Sequence, residues 1–242
     1  MIKVSRLFVL LIILSQGSIS TAQVQDSVRS RKLLYRSIVP TTSMVASIFI
    51  NGSQFEHNVQ ESLMGWVGED FHSNIDEYFR FVPIAEMYLA DIVGVQSKNH
   101  WFDQTKYLFI SNLISSSLTY GLKRWTGKTR PNGEPYSSPS GHTTVAFTNA
   151  TVLFNEFNET APLLAYSGYA FATTAGFYRM LNNEHWLSDI LLAAGIGMLV
   201  TELVYYFEPF KAFNPFKKSS SITFVPNVSG NKYGFYFSYR IK

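Results

Sequence analysis

The sequence predicts an all-α fold, an antiparallel bundle of about five to six helices carrying a small C-terminal β-hairpin. Three observations lead there. Apolar stretches of helical length recur at 81–96, 105–124, 142–157, 162–181 and 187–207, with short connections between most of them. Polar residues stand inside several of these runs, among them Glu86, Asp91, Asn112, Asn149 and Glu202, which suits helices that pack on one another. After Pro209 and Pro215 the pattern becomes alternating, with Tyr233, Phe235, Phe237, Tyr239 and Ile241 set against Gly234, Tyr236, Ser238 and Arg240.

Taken in order, residues 1–22 read as a cleaved export signal: Lys3 and Arg6, an apolar run from Leu7 to Leu14, then Ser20-Thr21-Ala22 as a cleavage site. That apolar run falls short of the roughly 20 residues a spanning helix needs. Residues 23–37 are polar and basic and read as a linker. Pro40 suits the first turn of a helix running to Ile50. From Asn51 to Arg80 an amphipathic pattern broken by Gly52, Gly65 and Gly68 suggests short helices. The helical domain spans 38–210, and the tail 211–242 holds two strands, 222–228 and 233–241, across Ser229-Gly230-Asn231-Lys232.

Of the 242 residues, 15% are charged and 16% aromatic, against roughly 25% charged in a typical soluble chain, so an apolar partner such as a membrane is expected. A net charge of +3 with no basic run interleaved with aromatics excludes a nucleic-acid partner. The absence of cysteine removes disulfides, thiolate catalysis and Cys-based metal sites. His57, His72 and His100 lack metal-ligand spacing, and no carboxylate cluster is evident, so no metal and no cofactor are expected.

Three blocks carry the chemistry. They are Lys123-x(6)-Arg130-Pro131, Pro139-Ser140-Gly141-His142 and Arg179-x(5)-His185-x(3)-Asp189. If consecutive helices run antiparallel, all three meet at one end of the bundle. Ser140 is placed to cap a helix whose first N–H groups point outward beside Gly141, an arrangement that binds anions. Arg130 and Arg179 can grip phosphate oxygens in a fork while Lys123 supplies a point charge. His185 and Asp189 stand four apart on one helical face, so the carboxylate can hold one ring nitrogen and leave the other to attack phosphorus. His142 can then protonate the leaving alkoxide and later activate water.

The order and spacing of these blocks resemble the type 2 phosphatidic acid phosphatase family, which also includes bacterial class A acid phosphatases and vanadium haloperoxidases. The resemblance covers roughly 97–207 and rests on ten defined positions. It implies the same roles: His185, His142 and Asp189 catalytic, and Lys123, Arg130, Ser140, Gly141 and Arg179 holding phosphate. Tyr178 stands where the family commonly has serine, and the gap from Pro131 to Pro139 is short. The activity expected is metal-independent hydrolysis of a lipid-linked phosphate or diphosphate, of phosphatidic acid, isoprenoid diphosphate or lipid A type, through a phosphohistidine. An exported, periplasm-facing protein associated with a bacterial inner membrane is the matching location. Alternative readings are a soluble periplasmic acid phosphatase, a vanadate-dependent haloperoxidase and a non-enzymatic envelope scaffold. Trp125, Tyr136 and Trp186 flank the blocks and line an acyl groove or pack the core.

Overall fold

A computed structural model describes residues 23–68, 70–216, 222–229 and 232–239. The leader read at 1–22 lies outside them. The chain divides into two compact units, Met1–Arg36 and Ser37–Lys242. The architecture is all-α. Eight helices occur among the described residues: α1 (Gln23–Ile50), α2 (Gln54–Val67), α3 (Ile75–Phe79), α4 (Val82–Ile92), α5 (Trp101–Thr126), α6 (Gly141–Phe157), α7 (Pro162–Leu181) and α8 (Leu187–Phe207). The count exceeds six because the 51–80 stretch folds into α2 and α3.

Two boundaries differ from the sequence reading. Residues 23–37 are helical rather than a linker, since Arg29, Arg31, Lys32, Leu33 and Leu34 all favour helix and nothing before Pro40 breaks the turn. Pro40 therefore lies inside α1, where it lacks an N–H for the carbonyl four residues earlier. The run expected over 81–96 ends at Ile92, because Gly94 turns the chain with φ +84°.

Local chemistry sets the ends that matter for the site. Ser53 caps α2 by accepting from Glu56 N at 3.2 Å, and Glu56 reaches back to Gly52 N at 2.7 Å. His100 Nδ1 caps α5, accepting from Phe102 N at 3.3 Å, and Gly127 ends it in the left-handed conformation at φ +57°. Pro162 opens α7.

Helix α6 is the centre of the bundle, packed on α5, α7 and α8. Its contact with α5 is a polar ladder: Thr119 meets Thr144 at 3.0 Å, Ser115 meets Thr148 at 3.0 Å, and Asn112 donates to Asn149 at 2.8 Å. The rungs descend one helix as they climb the other, so α5 and α6 are antiparallel. Against α8 the helices run parallel, with Gly197 set on Thr144 and Thr148 and Asn155 donating to Glu202 at 2.9 Å. The apolar core gathers Met87, Tyr107, Val152, Leu153, Phe157, Ala165, Val204 and Tyr205. Beyond α8 the chain returns to α5, where Lys106 Nζ donates to the carbonyls of Phe210 and Phe213 at 3.0 and 3.2 Å. Asn214 Nδ2 donates to Asp103 at 2.9 Å there as well. Strands β1 (Ile222–Ser229) and β2 (Lys232–Tyr239) pair antiparallel, from Ile222 opposite Tyr239 to Ser229 opposite Lys232.

Two segments are long and apolar enough to cross a membrane, Arg29–Ile50 and Leu187–Phe207. The second is largely covered by the bundle. Elsewhere large apolar side chains face outward, including Ile48 and Phe49 on α1, Leu89 and Ile92 on α4, and Phe109 and Leu113 on α5. A surface of that extent marks an interaction face.

A Cβ on Gly197 would stand 2.7 Å from Thr144 O and 2.9 Å from Thr148 N, backbone atoms that cannot step aside. Gly197→Val is expected to lower stability by about 2–3 kcal/mol through overpacking. Gly121 has open space at its Cβ position and lies within α5, so Gly121→Ala is expected to add about 0.5–1 kcal/mol. Thermal unfolding of both variants in detergent checks the pair.

Candidate active site

The alternating helix directions bring the C-terminal ends of α5 and α7 and the N-terminal ends of α6 and α8 to one end of the bundle. All three blocks arrive there. The tie between them is Asp189, fully buried in the first turn of α8. Its Oδ1 accepts from Lys128 Nζ at 3.1 Å, and its Oδ2 accepts from Ser137 Oγ and from Trp186 N at 2.9 Å. Its backbone carbonyl accepts from Ser140 N at 3.3 Å, joining the second block to the third.

His185 is buried at 1% exposure. Its Nδ1 stands 3.7 Å from Asp189 Oδ2, beyond hydrogen-bond reach, and finds no partner among the described residues. The sequence reading had Asp189 hold this nitrogen directly. Here the carboxylate is already engaged by Ser137, Trp186 and Lys128. Burial drives the His185 pKa down to about 4; Asp189 opposes that shift, while Lys123 and Arg179 add to it.

Ser140 is the N-cap of α6 as its position suggested. Its Oγ accepts from Thr143 N at 3.5 Å and from the Thr143 hydroxyl at 3.0 Å, and the residue has no exposed surface. Gly141 beside it has open space where a side chain would stand. His142 projects from the first turn of α6, with Nε2 2.8 Å from Glu77 Oε1. Burial lowers its pKa first and Arg179 second, against the hydrogen bond to Glu77. That same bond holds the Glu77 carboxyl below its usual range.

The cations are distributed unequally. Arg179 NH1 donates to Asp76 at 2.9 Å and its NH2 to Glu184 at 2.7 Å, while Arg130 donates to the same Glu184 oxygen and to Glu134 at 2.9 Å. Glu184 thus bridges the two guanidinium groups. The Nε atoms of both arginines have no partner among the described residues. Lys123, in the last turn of α5, is lowered in pKa by burial and then by the nearby charges of Arg130 and Arg179. Around the rim, the Arg124 guanidinium lies over the rings of Tyr120 and Tyr136, Trp125 is exposed, and Trp186 Nε1 donates to Thr129 O at 2.8 Å. Tyr178 packs against Phe71.

Several residues here were not singled out from sequence. Lys128 lies within the first block and Glu184 next to His185, so proximity was their only signal. Glu56, Asp76 and Glu77 come from α2 and α3, far back along the chain. Asp76, Glu77 and His142 offer ligand atoms within 4.8 Å of one another, a grouping the spacing had not disclosed. Asp76 is paired with Arg179, and Glu77 with Arg80 at 2.5 Å.

Residues 104–212 match the PAP2 superfamily. The lipid A 1-phosphatase of Porphyromonas gingivalis is 31% identical over 156 residues, 62% of this chain and 34% of that protein. The chain therefore spans about a third of the length of that relative. Among solved structures, a transmembrane PAP2-type phosphatidylglycerolphosphate phosphatase from Bacillus subtilis aligns with a TM-score of 0.51 at 16% identity, covering 74% of this chain and 99% of that one. The Aquifex aeolicus LpxE structure aligns with a TM-score of 0.43 at 19% identity, over 61% of this chain and 93% of that one. All three sequence blocks fall inside the stretch, residues 104–212, that matches the PAP2 superfamily.

Proposed function

We propose that the protein is a membrane-associated phosphatase of lipid-linked phosphates that works through a phosphohistidine. The observation that carries this reading is the convergence of Lys123, Arg130 and Arg179 on two imidazoles at the capped start of α6, with guanidinium Nε and His185 Nδ1 atoms that find no partner among the described residues. Phosphoryl transfer needs charge stabilisation on the equatorial oxygens more than covalent help. Arg130, Arg179, Lys123 and the N–H groups beside Gly141 supply it.

In the first step neutral His185 attacks phosphorus, the N–P bond forms, and the P–O bond to the lipid breaks. Protonated His142 gives its proton to the departing alkoxide. In the second step His142, now neutral, takes a proton from water as the water oxygen attacks the phosphohistidine, and phosphate leaves. Asp189 stabilises the positive charge that His185 acquires. Glu184 shares the arginine donors, so the substrate phosphate competes with it for them.

A lipid substrate accords with the outward apolar side chains of α1, α4 and α5, with the two apolar segments and with the lipid A 1-phosphatase relative. A phosphatidic acid, an isoprenoid diphosphate and a lipid A phosphate all fit this chemistry. The reading places the protein in the bacterial envelope with the site facing the periplasm.

His185→Ala is expected to cut phosphate release by about 10⁴-fold or more while the protein stays folded, since only the attacking nitrogen is lost. Near-wild-type release would refute the assignment. Because His185 attacks only when neutral, kcat/KM should rise through its pKa of about 4. His142 donates only when protonated, and its pKa is held below 6.5, so kcat/KM should fall again before neutrality. A pH series locates that acid-side maximum, and a maximum above pH 7 would overturn the acid–base roles. Finally, kcat/KM for a lipid phosphate in micelles should exceed that for nitrophenyl phosphate by at least about tenfold, because remote acyl contacts help position the phosphate. Equal turnover of the two would favour a soluble acid phosphatase.

A further inference from the structure

We propose that Lys128 is a positioning residue that sets how strongly Asp189 supports His185, by dividing one ammonium between Asp189 and Glu56. The proposal rests on the phosphohistidine reading above and adds to it two residues outside the three blocks' defined positions. Lys128 Nζ lies 3.1 Å from Asp189 Oδ1, 2.8 Å from Ser188 Oγ and 3.5 Å from Glu56 Oε1. Both carboxylates are buried, Asp189 at 0% and Glu56 at 1%, so neither can turn to water for compensation. Glu56 is pinned as well: its Oε2 accepts from Gly52 N at 2.7 Å and its Oε1 from Ser188 N at 2.9 Å.

The location of Lys128 is fixed by the fold. It follows Gly127, whose left-handed backbone ends α5, and its ammonium lies 5.7 Å from the Trp186 ring centroid. Removing the ammonium would leave two buried negative charges uncompensated near His185. Removing the Glu56 charge would leave the ammonium wholly to Asp189. The charged groups around His185 are Asp189, Lys123 and Arg179, with Glu184 next in the chain, and Lys128 and Glu56 act on it through Asp189. Loss of the positive charge should favour the imidazolium, and loss of the negative charge should disfavour it. The two changes therefore have opposite signs. A residue that only filled space would produce no such pair.

The test uses the full-length protein in detergent micelles, with Lys128→Met, Lys128→Arg and Glu56→Gln made separately and their folding checked by thermal unfolding. The acid limb of kcat/KM against pH is read on one lipid phosphate, so that the substrate's own ionisation cancels between variants. The limb should move up by about one pH unit in Lys128→Met, move down in Glu56→Gln, and stay in place in Lys128→Arg. The His185 ring titration, followed by NMR on ring-labelled histidine with His185→Gln identifying the resonance, should show the same two shifts, and none in Lys128→Arg, without any turnover. Unmoved limbs and titrations in both Lys128→Met and Glu56→Gln would overturn the proposal, whatever happens to the rate. Should Lys128→Met fail to fold, the Glu56→Gln shift alone decides. A wild-type protein that releases no phosphate from any lipid would refute the proposed function, and the NMR shifts would still decide the role of Lys128.

Discussion

A carboxylate sealed away from water must be matched by donors placed before it is buried, and Asp189 imposes that demand on the whole end of the bundle where the three blocks meet. Each partner it recruits comes from a different piece of chain. Lys128 arrives from the end of α5, Ser137 from the loop that follows, Trp186 from the turn before α8, and Ser140 at its carbonyl from the cap of α6. Breaking a buried ion pair by removing one partner commonly costs about 3–5 kcal/mol, so these elements are held together by the charge they enclose. The site geometry and the packing of the loop over it are consequences of one residue's solvation.

The rest of the bundle keeps those partners in register. The polar rungs between α5 and α6 fix where α5 ends relative to α6, which brings Lys123 and Lys128 to the same end of the bundle as the cap at Ser140. Hydroxyl and amide pairs of this kind specify an offset that apolar packing alone would leave free to slide. Gly197 lets α8 approach α6 until a backbone oxygen and a glycine are nearly in contact, bringing Asp189 level with Ser140.

How much of this could be read in the sequence depended on distance along the chain. The α6 cap, the four-residue step from His185 to Asp189 and the convergence of the blocks all follow from local spacing and helix direction, and they were legible. Glu56, Asp76 and Glu77 were not, because their partners Ser188, Arg179 and His142 lie 132, 103 and 65 residues away, and an isolated acid on a short helix carries no pattern. The direct contact expected between Asp189 and His185 was superseded by Ser137, whose hydroxyl reaches the same oxygen from a loop with no periodicity to read. The start of α1 was missed for another reason: a basic, polar segment suits a linker and an exposed helix equally by composition, and Pro40 drew the boundary toward itself.

Glu184 lies between Arg130 and Arg179, Asp76 lies on Arg179, and Glu56 and Asp189 lie on Lys128. With Glu134 also on Arg130, the cations Lys123, Lys128, Arg130 and Arg179 are thus set among five carboxylates, and their positive charge is offset before anything binds. Such balance lets like charges crowd together without destabilising the fold. On the proposed phosphatase reading that balance has a second effect. A departing phosphate would leave behind a carboxylate, Glu184, that already accepts from both Arg130 and Arg179, so free product would have to displace it to return.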